Sequence, residues 1–214
     1  MQLVDPQSPD VRIEVTAPPN QAVNLGQLLA DRGHVGIYAG MIRNSGTLRA
    51  NTAGLNEKGE VVLRAKQDVT LDKTSVITAN GPAGGKVTIQ AQEGTATVGG
   101  VVEANGTQGR GGTIAIAAAH AVSVEPGARV TANGVDGGGS VTLTATSGSV
   151  TVAAPVTANT LIGRAGEIAI NAAKSVTLAA GGLLSAAGGD GRGVVTVSGS
   201  SSNPFWVPRP MTVS

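Results

Sequence analysis

The chain has 214 residues, among them 32 glycines, one Phe, one Tyr, one Trp and no cysteine, with a net charge of +1. The scattered basic residues exclude an electrostatic nucleic-acid binder, and the missing cysteine excludes a disulfide scaffold or a thiolate metal site. A hydrophobic share of 41% is too high for disorder, glycine does not recur at every third position as collagen requires, and no apolar run of about 18 residues offers a membrane-spanning helix.

Residues 1–10 are polar and contain prolines, so an irregular segment is expected there. Met1-Gln2-Leu3-Val4-Asp5-Pro6 lacks the basic-then-apolar layout of a secretory signal, so any export signal is expected outside this sequence. Val11, Ile13 and Val15 alternate and can open a coil, with a corner at Ala17-Pro18-Pro19-Asn20 and a continuation at Val23-Asn24-Leu25-Gly26-Gln27.

From Gly33 a motif takes over: Gly-x-(Val/Ile)-x-(Ile/Leu/Val)-x-Ala. Its anchor glycines are Gly33, Gly59, Gly85, Gly112, Gly139, Gly166 and Gly193, spaced by 26, 26 and then four times 27 residues. A period held this tightly is the mark of stacked structural repeats. The residues after each glycine alternate, as in a strand with one buried face. The first inward column is Val35, Val61, Val87, Ile114, Val141, Ile168 and Val195. The second is Ile37, Leu63, Ile89, Ile116, Leu143, Ile170 and Val197, and alanine fills most of a third.

Each repeat holds two further short strands, such as Val122/Val124 and Val130/Ala132, and the last often ends in Asn-Gly: Asn80-Gly81, Asn105-Gly106 and Asn133-Gly134. Because Asn and Gly tolerate positive φ, these pairs are expected at sharp corners. Three strands and three corners per 27 residues predict an all-β, right-handed parallel β-helix of roughly seven coils over residues 11–199. An antiparallel sandwich also has short strands, but does not demand the same residue type every 27 positions. Residues 200–214, with Phe205, Trp206, Pro204, Pro208 and Pro210, form a tail or a cap.

Five segments carry a more specific pattern: Val15-Thr16-Ala17-Pro18, Ala22-Val23-Asn24-Leu25-Gly26-Gln27, Gly33-x-Val35-x-Ile37-Tyr38-Ala39, Ile42-Arg43-Asn44-Ser45-Gly46-Thr47-Leu48-Arg49-Ala50-Asn51 and Gly59-Glu60-Val61-Val62-Leu63-Arg64-Ala65. With these the chain resembles the filamentous haemagglutinin-type exoproteins over roughly residues 11–200, most specifically over 15–65. The resemblance implies a β-helical stalk of a secreted or surface bacterial adhesin, exported through an outer-membrane two-partner transporter. It also implies a glycan or protein receptor on host or bacterial cells. The chain departs from that family in lacking the Asn-Pro-Asn-Leu and Asn-Pro-Asn-Gly motifs of the secretion region; its one Asn-Pro is Asn203-Pro204. A piece of a longer exoprotein, or a truncated relic without a function of its own, is therefore also expected to fit. A relic with bare coil edges would aggregate.

The residues give little for chemistry, and no cofactor or metal is implied. β-Helical polysaccharide lyases or hydrolases are the enzymatic alternative, and would need carboxylates, bases and aromatics converging on one face. Glu60 and Glu167 both follow an anchor glycine but four coils apart, on the order of 19 Å, too far for a catalytic pair. His34 and His120 read as exposed loop histidines, and Gly188-Gly189-Asp190-Gly191-Arg192-Gly193 as a corner loop. Gly81-Pro82-Ala83-Gly84-Gly85-Lys86 lacks the first glycine of a phosphate loop and leads into a strand. The outward row Gly36, Val62, Thr88, Ala115, Thr142, Ala169 and Thr196 is too irregular to match a crystalline lattice such as ice.

Overall fold

The computed structural model describes residues 11–54, 58–190 and 193–200; the expected irregular segment 1–10 and the tail at 201–214 lie outside the described residues. Among the described residues all regular structure is β-strand, and every strand pairing is parallel. Two strands, Arg12–Asn24 and His34–Asn44, are long and run through a corner, each supplying two sides of its coil. Later levels break there into three short strands, as in Thr113–Ala118, Ala121–Val124 and Arg129–Thr131. The third strands form a seven-stranded sheet, so about six full turns separate the first from the last.

The stacking register is the one the 27-residue period predicts. Val87 pairs with Ile114, Ile114 with Val141, Val141 with Ile168 and Ile168 with Val195. The opening level is shorter, since Arg12 pairs with His34. Its last corner explains the difference: only Asp31 and Arg32 separate Ala30 from Gly33, whereas Asn105–Gly111 intervene between Ala104 and Gly112. Arg32 makes the tight turn with φ 65°, the left-handed region a non-glycine residue adopts only when the chain is forced.

The core is a stack of like residues. Val35, Val61, Val87, Ile114, Val141 and Ile168, with Ile37, Leu63, Ile89, Ile116, Leu143 and Ile170, are all at most 2% exposed. Burying each such side chain contributes about 1.5–3 kcal/mol. The column ends differently from the expectation. Val195 is 45% exposed and Val197 only partly buried. Their strand, Val194–Gly199, is the last in its sheet and pairs on one side alone, and no described second or third strand folds over it.

The Asn corners also differ from the expectation in their cause. Among the described residues Arg32 is the one non-glycine with positive φ, and the positive-φ glycines are Gly127, Gly137, Gly163 and Gly181. Neither the corner asparagines nor the anchor glycines are among them. The asparagines instead form a ladder along the rod. Each side-chain Oδ1 accepts the backbone N–H one level on: Asn51 from Asn80 (2.8 Å), Asn80 from Asn105 (2.7 Å), Asn105 from Asn133 (2.9 Å) and Asn133 from Asn159 (2.8 Å). Asn159 closes the series by accepting from Ala187 at 2.8 Å. A shorter ladder serves another corner: Asn24 Nδ2 donates to Asn44 Oδ1 at 2.7 Å, and the buried Asn44 donates to Ser75 Oγ at 2.5 Å.

Asn105→Ala removes an acceptor and leaves the Asn133 N–H without its partner. An orphaned, partly buried donor costs about 1–3 kcal/mol, and urea unfolding should show that loss. A midpoint unchanged from the parent would mean the ladder adds nothing to stability.

Candidate functional site

The anchor glycines shape the outside of the rod as well as its core. Four anchor N–H groups donate back to the alanine just after the third strand: Gly85 to Ala79 (2.7 Å), Gly112 to Ala104 (2.7 Å), Gly139 to Ala132 (2.8 Å) and Gly166 to Ala158 (2.9 Å). Closing the corner this way pushes the intervening residues outward as a loop. Successive loops then stack, with Gly84 N–H donating to Arg110 O (2.9 Å), Gly111 to Gly137 (3.0 Å) and Gly138 to Arg164 (3.1 Å).

Between these loops and the starts of the first strands runs a groove of 580 Å³ along the rod. One wall is the row Thr113, Ser140, Glu167 and Val194; the other carries Arg110 and Arg164, with Lys58 at one end. Its floor is glycine and alanine, which is why there is room for a groove. The amides of Gly84, Gly111 and Gly138 are taken up by the neighbouring loops. The polarity open to a ligand therefore comes from side chains.

Toward the N-terminal end, the same outward row continues into an ionic cluster. Glu60 lies between His34 and Lys86, with His34 Nδ1 3.3 Å from Oε2 and Lys86 Nζ 3.1 Å from Oε1. Burial by itself would raise the Glu60 carboxyl; the hydrogen bonds and charges of Lys86 and His34 outweigh it and hold the group below the usual carboxylate range. Tyr38 and His34 both lean over Gly36: a Cβ there would stand 2.8 Å from Tyr38 Cε2 and 2.9 Å from His34 Nε2. Tyr38 pairs in register with Arg64.

This placement corrects one expectation. His34 is not an exposed loop residue; it opens a strand, its side chain is 20% exposed, and its Nε2 is buried without a hydrogen-bond partner. His120 does sit exposed in a corner, with Ser147 Oγ 3.4 Å from Nδ1. Glu60 and Glu167 share one row, four strand steps apart through Lys86, Thr113 and Ser140. Asp190 stacks its N–H on Gly163 O at 3.1 Å, as a corner-loop residue does; Gly191 and Arg192 lie outside the described residues.

The groove itself is absent from the expectations drawn from sequence, although a signal for it exists. A basic residue stands one or two places before five of the seven anchor glycines: Arg32, Lys58, Arg110, Arg164 and Arg192. Read against the period, that spacing puts cations along one corner. Among the described residues no three His, Asp or Glu side chains gather as a metal site, and no helix is long and apolar enough to cross a membrane. No protein-family model, curated protein or solved structure matches the chain.

Proposed function

We propose that this chain is a non-catalytic β-helical stalk segment of an exported bacterial surface adhesin of the filamentous haemagglutinin type. In this reading an outer-membrane two-partner transporter delivers the protein, and the rod holds a receptor on host or bacterial cells. The observation that carries the reading is the rod itself: aliphatic columns fill the interior from level to level, so recognition is left to the outer faces and corners. The more specific sequence segment supports it too, because Asn24 and Asn44 of that segment bond to each other between levels. Beads coated with the purified chain should adhere to bacterial or epithelial cells more than beads coated with an unrelated β-rich protein. Equal adhesion would reject the reading.

The ionic cluster favours a second reading, a polysaccharide-cleaving enzyme. His34, Tyr38, Glu60, Arg64 and Lys86 bring an imidazole, a phenol, a carboxylate and two cations to one end of one sheet face. Incubation with acidic and neutral polysaccharides should release no reducing or unsaturated ends. Release that Glu60→Gln abolishes would replace the stalk with an enzyme.

A further inference from the structure

Four arginines along the rod are neutralised where they stand. Arg12 pairs with Glu14, Arg43 with Asp72, Arg49 with Asp31 and Arg129 with Glu103. Arg110 and Arg164, which line the corner groove, have no carboxylate partner among the described residues. They occupy equivalent corner positions two levels apart, and the level between offers Gly137. The stem of Arg110 lies across that glycine, its Cγ and Nε each 3.1 Å from where a Cβ would be. Two unpaired guanidinium groups lining one groove favour an anion placed between them. A guanidinium presents a planar fork of donors suited to carboxylate or sulfate.

The rest of the lining narrows the class of anion. The groove follows the rod axis across several levels, so it suits a linear polymer more than a compact ion. Its opposite wall offers the hydroxyls of Thr113 and Ser140 and the carboxylate of Glu167. These accept or donate hydrogen bonds to neutral hydroxyls, and Glu167 turns an acidic group away from its own position. A ligand matching both walls carries hydroxyls along its length and acid groups at intervals. Single-stranded nucleic acid is held by aromatic stacking, and among the described residues no aromatic side chain lines the groove. Peptides are anchored by aromatic or aliphatic side chains in desolvated pockets, which a floor of glycine does not provide.

We propose that the corner groove binds a linear acidic polysaccharide, with Arg110 and Arg164 as its paired anion contacts. The proposal rests on the stalk reading for one point only, that the glycan is held and not cleaved.

The test is calorimetric titration of the full chain with hyaluronan oligomers, neutral chito-oligosaccharides and single-stranded DNA. The parent should bind hyaluronan, weaken as salt is raised because the contacts are exposed charges, and ignore the neutral oligomer. Each charge-assisted contact is worth on the order of tenfold in affinity, so the Arg110→Gln/Arg164→Gln variant should lose about a hundredfold. Lys174→Gln, exposed and outside the groove, should bind like the parent. Both arginines are exposed, so the double variant should keep its circular dichroism spectrum and melting midpoint. Undiminished binding by a folded double variant overturns the site. Equal binding of the neutral oligomer does the same, and DNA binding tighter than hyaluronan overturns the glycan assignment. If hyaluronan does not bind, the groove proposal fails and the bead assay still decides the stalk reading. Shortening of the oligomers during titration would keep the site and remove the non-catalytic reading.

Discussion

Ile116→Ala is expected to destabilise the chain by about 2–5 kcal/mol, the range for removing a fully buried aliphatic side chain. Ile116 is 1% exposed and its strand pairs on both sides, so Ile89 and Leu143 flank it in the column. The hole cannot be closed by sliding one level toward another, because each backbone is held at the strand spacing by its ladder hydrogen bonds. In a solenoid the damage is also felt by both neighbouring interfaces, since stability is a sum of levels and contacts between levels. Val195→Ala is the control within the neighbouring column of the same sheet. Val195 is 45% exposed on a strand paired on one side, and the change should cost under about 1 kcal/mol. Urea denaturation of both variants measures the difference. Equal losses would mean that the exposed end of the stack is as well packed as its centre.

The contrast between these two positions marks how far the sequence could be read. The period of the glycines, the alternation after them and the Val, Ile and Leu columns specify a parallel β-solenoid, because only in-register stacking brings like residues together every 27 positions. What periodicity does not carry is where the stack ends. Val195 obeys the motif as well as Val141 does, yet one is half exposed and the other fully buried.

The corner asparagines show a second limit. Their recurrence is visible, but Asn suits both a left-handed turn and a hydrogen-bonded ladder. The choice depends on whether a neighbouring level presents an N–H, as Asn133 does to Asn105. His34 shows a third. It and Glu60 each follow an anchor glycine, so the period sets them side by side, but it does not carry that the ring lies over Gly36, where no side chain stands. The groove was legible only in part. The basic residues before the anchors are a sequence feature, but their lack of partners is a property of the folded rod.

Gly139→Ala should be the most damaging of the small substitutions, by about 3 kcal/mol or more, combining overpacking with a lost hydrogen bond. The cause is contact and not conformation, since Gly139 is not among the positive-φ residues. A Cβ there would stand 2.2 Å from the carbonyl oxygen of Gly112 and 2.8 Å from that of Ala132. Neither oxygen is free to retreat: Gly112 O accepts from Ser140 N–H at 2.9 Å, and Ala132 O from Gly139 N–H at 2.8 Å. The same obstruction repeats along the rod. A Cβ on Gly85 meets Gly59 O at 2.2 Å, one on Gly112 meets Gly85 O at 2.0 Å, and one on Gly166 meets Gly139 O at 2.1 Å. These four anchor glycines thus lie against the carbonyl of the anchor before them, and the spacing between levels leaves room for hydrogen alone. Gly26→Ala is the informative comparison, because a Cβ there meets nothing within 4 Å and its φ is not positive. That change should be neutral or stabilise by about 0.4–1 kcal/mol through the unfolded chain. Thermal melts of the two variants separate the explanations. If both alanines cost the same, glycine recurs here for backbone freedom; if only Gly139→Ala is costly, it recurs because the levels touch at that atom.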